Sequence, residues 1–477
     1  MKKYLILLIG LSMVSCVNDD VNTDPNSAYT TVPETLISYA QKELSDYLNT
    51  PSVNENNFRL TMQYWQETTY VNESNYDFTN RNVSNNIWSD NYVNVLNNLN
   101  QAKKLINSYV PTATEVGTWP VKKKNQLAII DIMMCFVYQN MVDTFGDIPY
   151  KESLDIKNHP LPKYDKGLDV YKDLIIRLTS DVSDLTTGSS FGDGDYYYNG
   201  DISKWKKFAN SLLLKTGIAL ADAEPTLAQA TVNQAIAGGV FTSASDNCQL
   251  PYQTASPNYN PLFENLSASG RDDFFAGETL INYMNTTSDL RIEKYYTTKP
   301  STTIYVGAVI GAPGEFGDFS QIGDFAYTEN TPGNIMTYTE VAFYLAEAAA
   351  RWTPATAQAA YDTAVTASFE EWGLTASDAS AYLATNAFDS TNWQKSIGEQ
   401  AWVAMYNQAL VSWNFYRRLD FPILLAPPTA ITNAGGKVPV RMQYPVKEST
   451  TNPTNWQAAS TSIGGDKLTT KVFWDKF

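Results

Sequence analysis

Gly200 to Leu220 reads GDISKWKKFANSLLLKTGIAL, and this stretch decides the fold class. Asp201 or Ser203 supplies a short side-chain oxygen that can accept from the orphan amides of a first helical turn. From there Trp205, Phe208, Ala209, Leu212, Thr216 and Ala219 recur at steps of three and four, the spacing of one helix face. Leu213, Leu214, Ile218 and Leu220 make the second half apolar nearly all round. Such a helix has to be covered on several sides, so other helices must be built against it.

The same period recurs outward in both directions. Thr31-x-x-Glu34, with Pro33 in the first turn, predicts a capping box opening a helix through Ile37, Ala40, Leu44 and Leu48. Trp88, Tyr92, Val95, Leu99, Ala102 and Ile106 predict a long second helix, and Leu127, Ile130, Met134, Val137, Tyr138 and Met141 a third. Tyr171, Leu174, Leu178, Val182 and Leu185 predict a fourth, and a short helix from Leu227 stops at Gly238-Gly239. Tyr338, Val341, Ala342, Leu345, Ala349 and Trp352 predict a helix that turns at Pro354 into a partner carrying Tyr361, Ala364, Val365 and Ser368. This pair has the form of a tetratricopeptide-type hairpin without its full consensus. One further helix is expected over Glu399 to Arg418, and the tail from Pro422 is loop-rich.

Between Thr242 and Gly333 periodicity fades into Gly, Pro, Asn and aromatics, with a short helix expected over Gly277 to Asn285. So long an irregular stretch in a compact domain is usually functional. The expectation is an all-α domain over 31–477, with a loop-rich insertion at about 242–333. A terminal Phe477 raises the outer-membrane β-barrel, but a barrel needs many alternating segments of about ten residues. This chain offers helical ones instead.

The 477 residues are ample for a sizeable core. Met1 to Ser15 has a basic start at Lys2 and Lys3 and an apolar run too short to span a bilayer, as in a secretory signal. Met13-Val14-Ser15-Cys16 resembles a bacterial lipobox, in which Cys16 is diacylated and becomes the mature N-terminus. The bland alternative is a secreted protein with an incidental cysteine. Residues 16–30 then form a polar, turn-rich tether whose Asp19-Asp20 resembles an acidic surface-export signal. Loss of Lys2 and Lys3 takes the net charge from −16 to −18, which disfavours nucleic acid and anionic lipid as partners.

Of the other two cysteines, Cys135 lies in an apolar run and Cys248 in a turn-like segment, and an exported chain leaves room for a disulfide between them. The one histidine, His159, sits beside prolines, so neither a Ser-His-Asp site nor a His/Cys zinc site has the parts it needs. Asp193, Asp195, Asn199 and Asp201 resemble a calcium loop, but the position that needs a bidentate Glu is Lys204. Capping and turn roles are the stronger reading there, with calcium the weaker one. Asp272-Asp273 and Asp318 or Asp324 could be imagined as a glycosidase pair, although nothing else in the chain supports hydrolysis.

Eight segments occur in one order: DPN at 24–26, FGDIPY at 145–150, YDKGLDVYKDLI at 164–175, the opening stretch, IMTYTEVAFYLAEAAAR at 335–351, IGEQAWVAMYNQALVSWNFYRR at 397–418, VPVRMQYPVKE at 438–448 and GGDKLTTKVFWD at 464–475. Together they resemble the SusD/RagB family of lipid-anchored outer-membrane nutrient-binding proteins, most closely its second SusD-like subgroup. The resemblance implies four tetratricopeptide-like helix pairs and an irregular ligand-binding half. It also implies a cell-surface, non-enzymatic role in glycan uptake, with a TonB-dependent SusC-like transporter as partner. Peptides or other nutrients are the alternative ligands on the same scaffold, and a glycoside hydrolase is a distant third. Arg417, Arg418, Glu340, Glu347 and Arg441 are expected in helix caps or buried ion pairs.

Sugar rings stack on aromatic faces while amides and carboxylates take their hydroxyls. Two loop segments supply that mixture: WQETTYVNESNYDFTN at 65–80, and the region between Tyr259 and Tyr327. Trp65, Tyr70 and Tyr76 in the first, and Phe274, Tyr305 and Phe319 in the second, are the ligand-contact candidates. With 30 tyrosines and 11 tryptophans in the chain, packing is the competing role for each of them.

Overall fold

The computed structural model describes residues 31–430 and 434–477; Cys16, the expected signal and the tether lie outside the described residues. Its helices form pairs. α1 (Pro33–Asn49) packs on α2 (Asn97–Ser108), which is entered through Val83–Ser89 and a π-helical stretch, Asp90–Leu96. α3 (Trp119–Phe145) pairs with α4 (Gly167–Asp184), and α5 (Ile202–Ala219) with α6 (Pro225–Gly238). After a short α7 (Glu278–Thr287), α8 (Tyr338–Trp352) pairs with α9 (Ala357–Glu371). Then come α10 (Ala376–Leu383), α11 (Trp393–Ala404), α12 (Ala409–Leu419) and α13 (Pro453–Ser462). α4 and α8 both pack on α5, which explains why that helix is apolar nearly all round. Although α3 is long and apolar enough to cross a membrane, it is a buried core helix here.

Local chemistry sets the joints. Asp201 caps α5 by accepting from the amides of Ser203 and Lys204 at 2.8 and 3.3 Å. Trp205 donates its indole N–H to buried Asp195 at 2.6 Å, tying the preceding loop to the helix. A Cβ on Gly217 would stand 3.0 Å from Val232, so glycine permits the close approach of α6. The carboxylates expected in buried contacts are found there: Glu347 with Arg418 at 2.8 Å, and Glu340 with Lys215 at 3.1 Å. Arg441 pairs with Asp466, whereas Arg417 donates to the carbonyls of Asp143 and Val440 at 2.7 and 2.9 Å.

Three expectations are corrected. Val32, not Thr31, precedes α1, and no side chain caps it; Glu34 turns instead toward Gln126 and Lys122 of α3. The long helix expected over Glu399 to Arg418 is broken between α11 and α12, at Met405 to Gln408. No glycine or proline marks that break. Tertiary contacts hold it: Tyr406 stacks on Tyr295 at 4.2 Å, Asn407 accepts from Arg59 at 3.1 Å, and Gln408 donates to Glu340 at 3.1 Å. Cys135 and Cys248 are both free and buried, one in α3 and the other in a strand rather than a turn.

The irregular segment is a closed excursion. Apart from a two-residue ladder of β2 (Ile148–Pro149) with β3 (Tyr164–Asp165), the strand pairings among the described residues all involve it: β4 (Cys248–Leu250) pairs antiparallel with β6 (Gly333–Met336), bringing the two ends of the segment together. Its middle is fastened to the first loop by β1 (Trp65–Glu67) pairing with β5 (Phe274–Ala276), Trp65 opposite Ala276 and Glu67 opposite Phe274.

Candidate functional site

The short β1–β5 ladder carries two loop tips outward side by side. Beyond it Thr68 continues the contact, its amide donating to the Asp273 carbonyl at 2.9 Å and its hydroxyl to the Asp272 carbonyl at 2.8 Å. Between the tips lies a cleft of about 250 Å³, with Tyr70, Arg81, Asn265, Arg271 and Asp273 on its walls and Glu67 at its base. The Tyr70 ring is 75% exposed. Arg271 reaches Asp273 at 2.8 Å, and Arg81 reaches buried Glu73 at 2.6 Å, so both guanidinium groups are held in place at the cleft. Glu67 accepts from the amide and hydroxyl of Ser74, each at 2.8 Å. Burial, with the Glu73 carboxylate beside it, pushes the Glu67 carboxyl up to about 8 despite those bonds.

A larger cleft, of about 690 Å³, opens where residues 293–298 and 323–334 face the C-terminal end of α9. Trp372 and Phe325 meet edge to face in it, ring centres 5.1 Å apart. Glu371 lies next to Trp372, and burial pushes its carboxyl up to about 7.

The six aromatic candidates divide. Tyr70 lines the smaller cleft, and Tyr305, half-buried, lines the larger. Phe319 is half-buried against Phe275, ring centres 4.9 Å apart. Trp65 and Tyr76 are core residues, correcting the expectation that they stand free in loops, whereas Phe274 is mostly buried against Trp65 but also lines the smaller cleft. Trp65 is 1% exposed, with Arg59 over one face and Phe274 packed 5.5 Å away. Tyr76 is turned inward by a left-handed backbone (φ 62°) and accepts from Gln63 at 3.1 Å. Periodicity is silent on Arg81, Arg271, Phe325 and Trp372; of the larger cleft's lining, Tyr305 alone was among the aromatic candidates.

In the calcium-like loop, Asp195 accepts from Gln41, Trp205 and the Gly200 amide, and Asp201 caps α5, so protein donors already occupy both. Elsewhere Asp131, Cys135 and Asp181 come together, but Arg177 and Lys103 neutralise Asp131 at 2.8 and 3.0 Å. Of the carboxylates imagined as a glycosidase pair, Asp273 is held by Arg271 and Asp318 lies 3.7 Å from Lys299. His159 lies 3.8 Å from Glu152 in a loop.

Residues 25–445 match the model of the SusD-like_2 family, described as starch-binding and associating with the outer membrane. The chain belongs to the SusD-like family. None of the curated proteins matches it. Among solved structures, this SusD-like protein is similar to a chitin-binding protein at 26% identity and TM-score 0.81, over 93% of this chain and all of that one. A SusD homologue from Bacteroides uniformis is also 26% identical, with TM-score 0.75, over 94% of this chain and all of that one. A chitin-binding SusD homologue from Flavobacterium johnsoniae shares the fold at TM-score 0.78 and 23% identity, over 93% of this chain and 98% of that one. The all-α architecture with paired helices is thus the SusD-like fold.

Proposed function

We propose that this SusD-like protein binds a glycan at the cell surface through the cleft beneath Tyr70 and passes it to a TonB-dependent outer-membrane transporter. The observation that carries this reading is the exposed Tyr70 ring standing beside Arg81, Arg271, Asp273 and Asn265. An aromatic face takes the apolar side of a pyranose, while guanidinium, carboxylate and amide groups take its hydroxyls. The chitin-binding relatives support a carbohydrate as ligand, and the family description supports the outer membrane as location. The lipobox-like Met13 to Cys16 supports lipid anchoring, and the resemblance to the SusD/RagB family supports the transporter. The protein acts by binding, without catalysis.

Calorimetric titration with malto- and chito-oligosaccharides, and with peptides as a counter-panel, tests the reading. Stacking contributes on the order of 1 kcal/mol per ring, so Tyr70→Ala should weaken the bound oligosaccharide several-fold with an unchanged melting temperature. Binding of peptides in place of any sugar, or wild-type affinity in Tyr70→Ala, would overturn it.

A further inference from the structure

The larger cleft differs in chemistry from the one beneath Tyr70. Its aromatic wall is fixed: Trp372 is held by Phe325 at 5.1 Å and by Tyr295 at 4.6 Å, each edge to face. Around that wall stand three carboxylates, Glu293, Asp324 and Glu371, against a single cation, Lys294. Among the described residues none of the three carboxylates forms an ion pair, unlike the acidic groups of the helical core. Glu347, Glu340 and Asp222 are all matched by arginine or lysine. Glu293 and Asp324 are exposed in the cleft beside the π-faces, whereas Glu371 is drawn inward toward Thr339, and the whole chain, at −16, draws cations toward the cleft.

We propose that this cleft is a second binding site, selective for a sugar that carries a protonated amine. An ammonium group near an aromatic face is attracted by the ring quadrupole, most strongly by tryptophan. The same group forms charge-assisted hydrogen bonds with carboxylates that have no other counter-ion. A neutral or N-acetylated sugar gains neither. The volume, about 690 Å³, is within the range of sites for small ligands and exceeds that of the Tyr70 cleft, so more than one sugar ring can enter. The amide pair of Gln249 and Asn334, joined at 2.7 Å, adds hydroxyl partners on the rim.

This inference rests on the carbohydrate reading of the protein but not on Tyr70. Its test is calorimetry on the full protein with a fully deacetylated glucosamine tetramer, the N-acetylated tetramer and a lysine tetrapeptide as probes. The expected result is that the glucosamine tetramer binds about tenfold tighter than its N-acetylated form, as loss of one charge-assisted contact implies. Glu293→Gln with Asp324→Asn, which keeps shape, should abolish that difference, and added salt should diminish it. A neutral oligosaccharide whose affinity depends on Tyr70 should fail to displace the glucosamine tetramer. Equal affinity for the two tetramers, an undiminished difference in the double variant, or displacement by the neutral sugar would each overturn the second site. Equal binding of the lysine peptide would overturn selectivity for a sugar. Should the double variant fold poorly, the salt dependence and the competition in the unaltered protein decide between the same outcomes.

Discussion

Trp65 donates its indole N–H to the Tyr406 hydroxyl at 2.8 Å, across 341 positions of sequence. Tyr406 in turn donates to the Tyr295 carbonyl at 3.1 Å, so three distant segments meet at one buried point. That point is where the first loop, the irregular half and the break between α11 and α12 are pinned together.

Trp65→Ala should therefore act on stability. Removing a fully buried tryptophan costs roughly 3–5 kcal/mol. A lower denaturation midpoint, with the unfolding free energy reduced by about this amount, is expected, with any loss of glycan binding following the unfolded fraction. An unchanged midpoint together with lost binding would return Trp65 to the list of ligand platforms.

Glu67 ties stability to pH. Burial and its Glu73 neighbour raise its folded pKa to about 8, above the ordinary value of 4.5. Between those values the native state holds a proton that the unfolded chain has released, so this group makes stability fall as pH rises. Glu67→Gln should be more favourable, relative to the unaltered protein, at about pH 9 than at about pH 5. Melting temperatures at the two pH values check the sign; a reversed order would mean that the carboxylate is stabilised in the fold.

Glu347 is the centre of a buried charge chain, with Arg418 at 2.8 Å and Arg351 at 3.0 Å, the latter continuing to Asp222 at 2.8 Å. Burial alone would raise its pKa, but the two arginines outweigh that and lower it. Glu347→Gln leaves Arg418 buried without its counter-charge, which costs about 3–5 kcal/mol. Equilibrium unfolding in urea near neutral pH measures this. In the unaltered protein the contribution is present above the unfolded carboxyl pKa and is lost as pH falls below it.

Cys16→Ala addresses the anchor. Two acyl chains hold a protein to a membrane where one is marginal. The variant should leave the membrane fraction and appear soluble, with its helical circular dichroism intact. Retention in the membrane fraction would count against lipidation.

The helical scaffold was legible because its constraint is periodic. Trp205, Phe208 and Leu212 had to share a face, and they do, buried. The capping by Asp201 was legible for the same local reason. The break at Met405 to Gln408 was not, since it is held by residues hundreds of positions away rather than by glycine or proline. The site shows the same limit. Tyr70 and Tyr76 lie six positions apart in one polar loop, yet one ring is 75% exposed and the other fully buried. What separates them is the inward turn at Tyr76 and its bond to Gln63, and neither leaves a pattern in the residues between. Arg81 and Arg271 joined the cleft through the β1–β5 ladder, a pairing that three-residue strands scarcely announce.

Because Thr68 holds both Asp272 and Asp273 by their carbonyls, the two loop tips form a joint surface even though some two hundred residues separate them in the chain. A lineage that altered only one tip would leave the other shaped for the former ligand. A change of ligand at this surface therefore calls for a pair of edits, one near residue 70 and one near residue 271. A laboratory graft of specificity from a relative should carry both tips, while the ladder beneath them stays as it is.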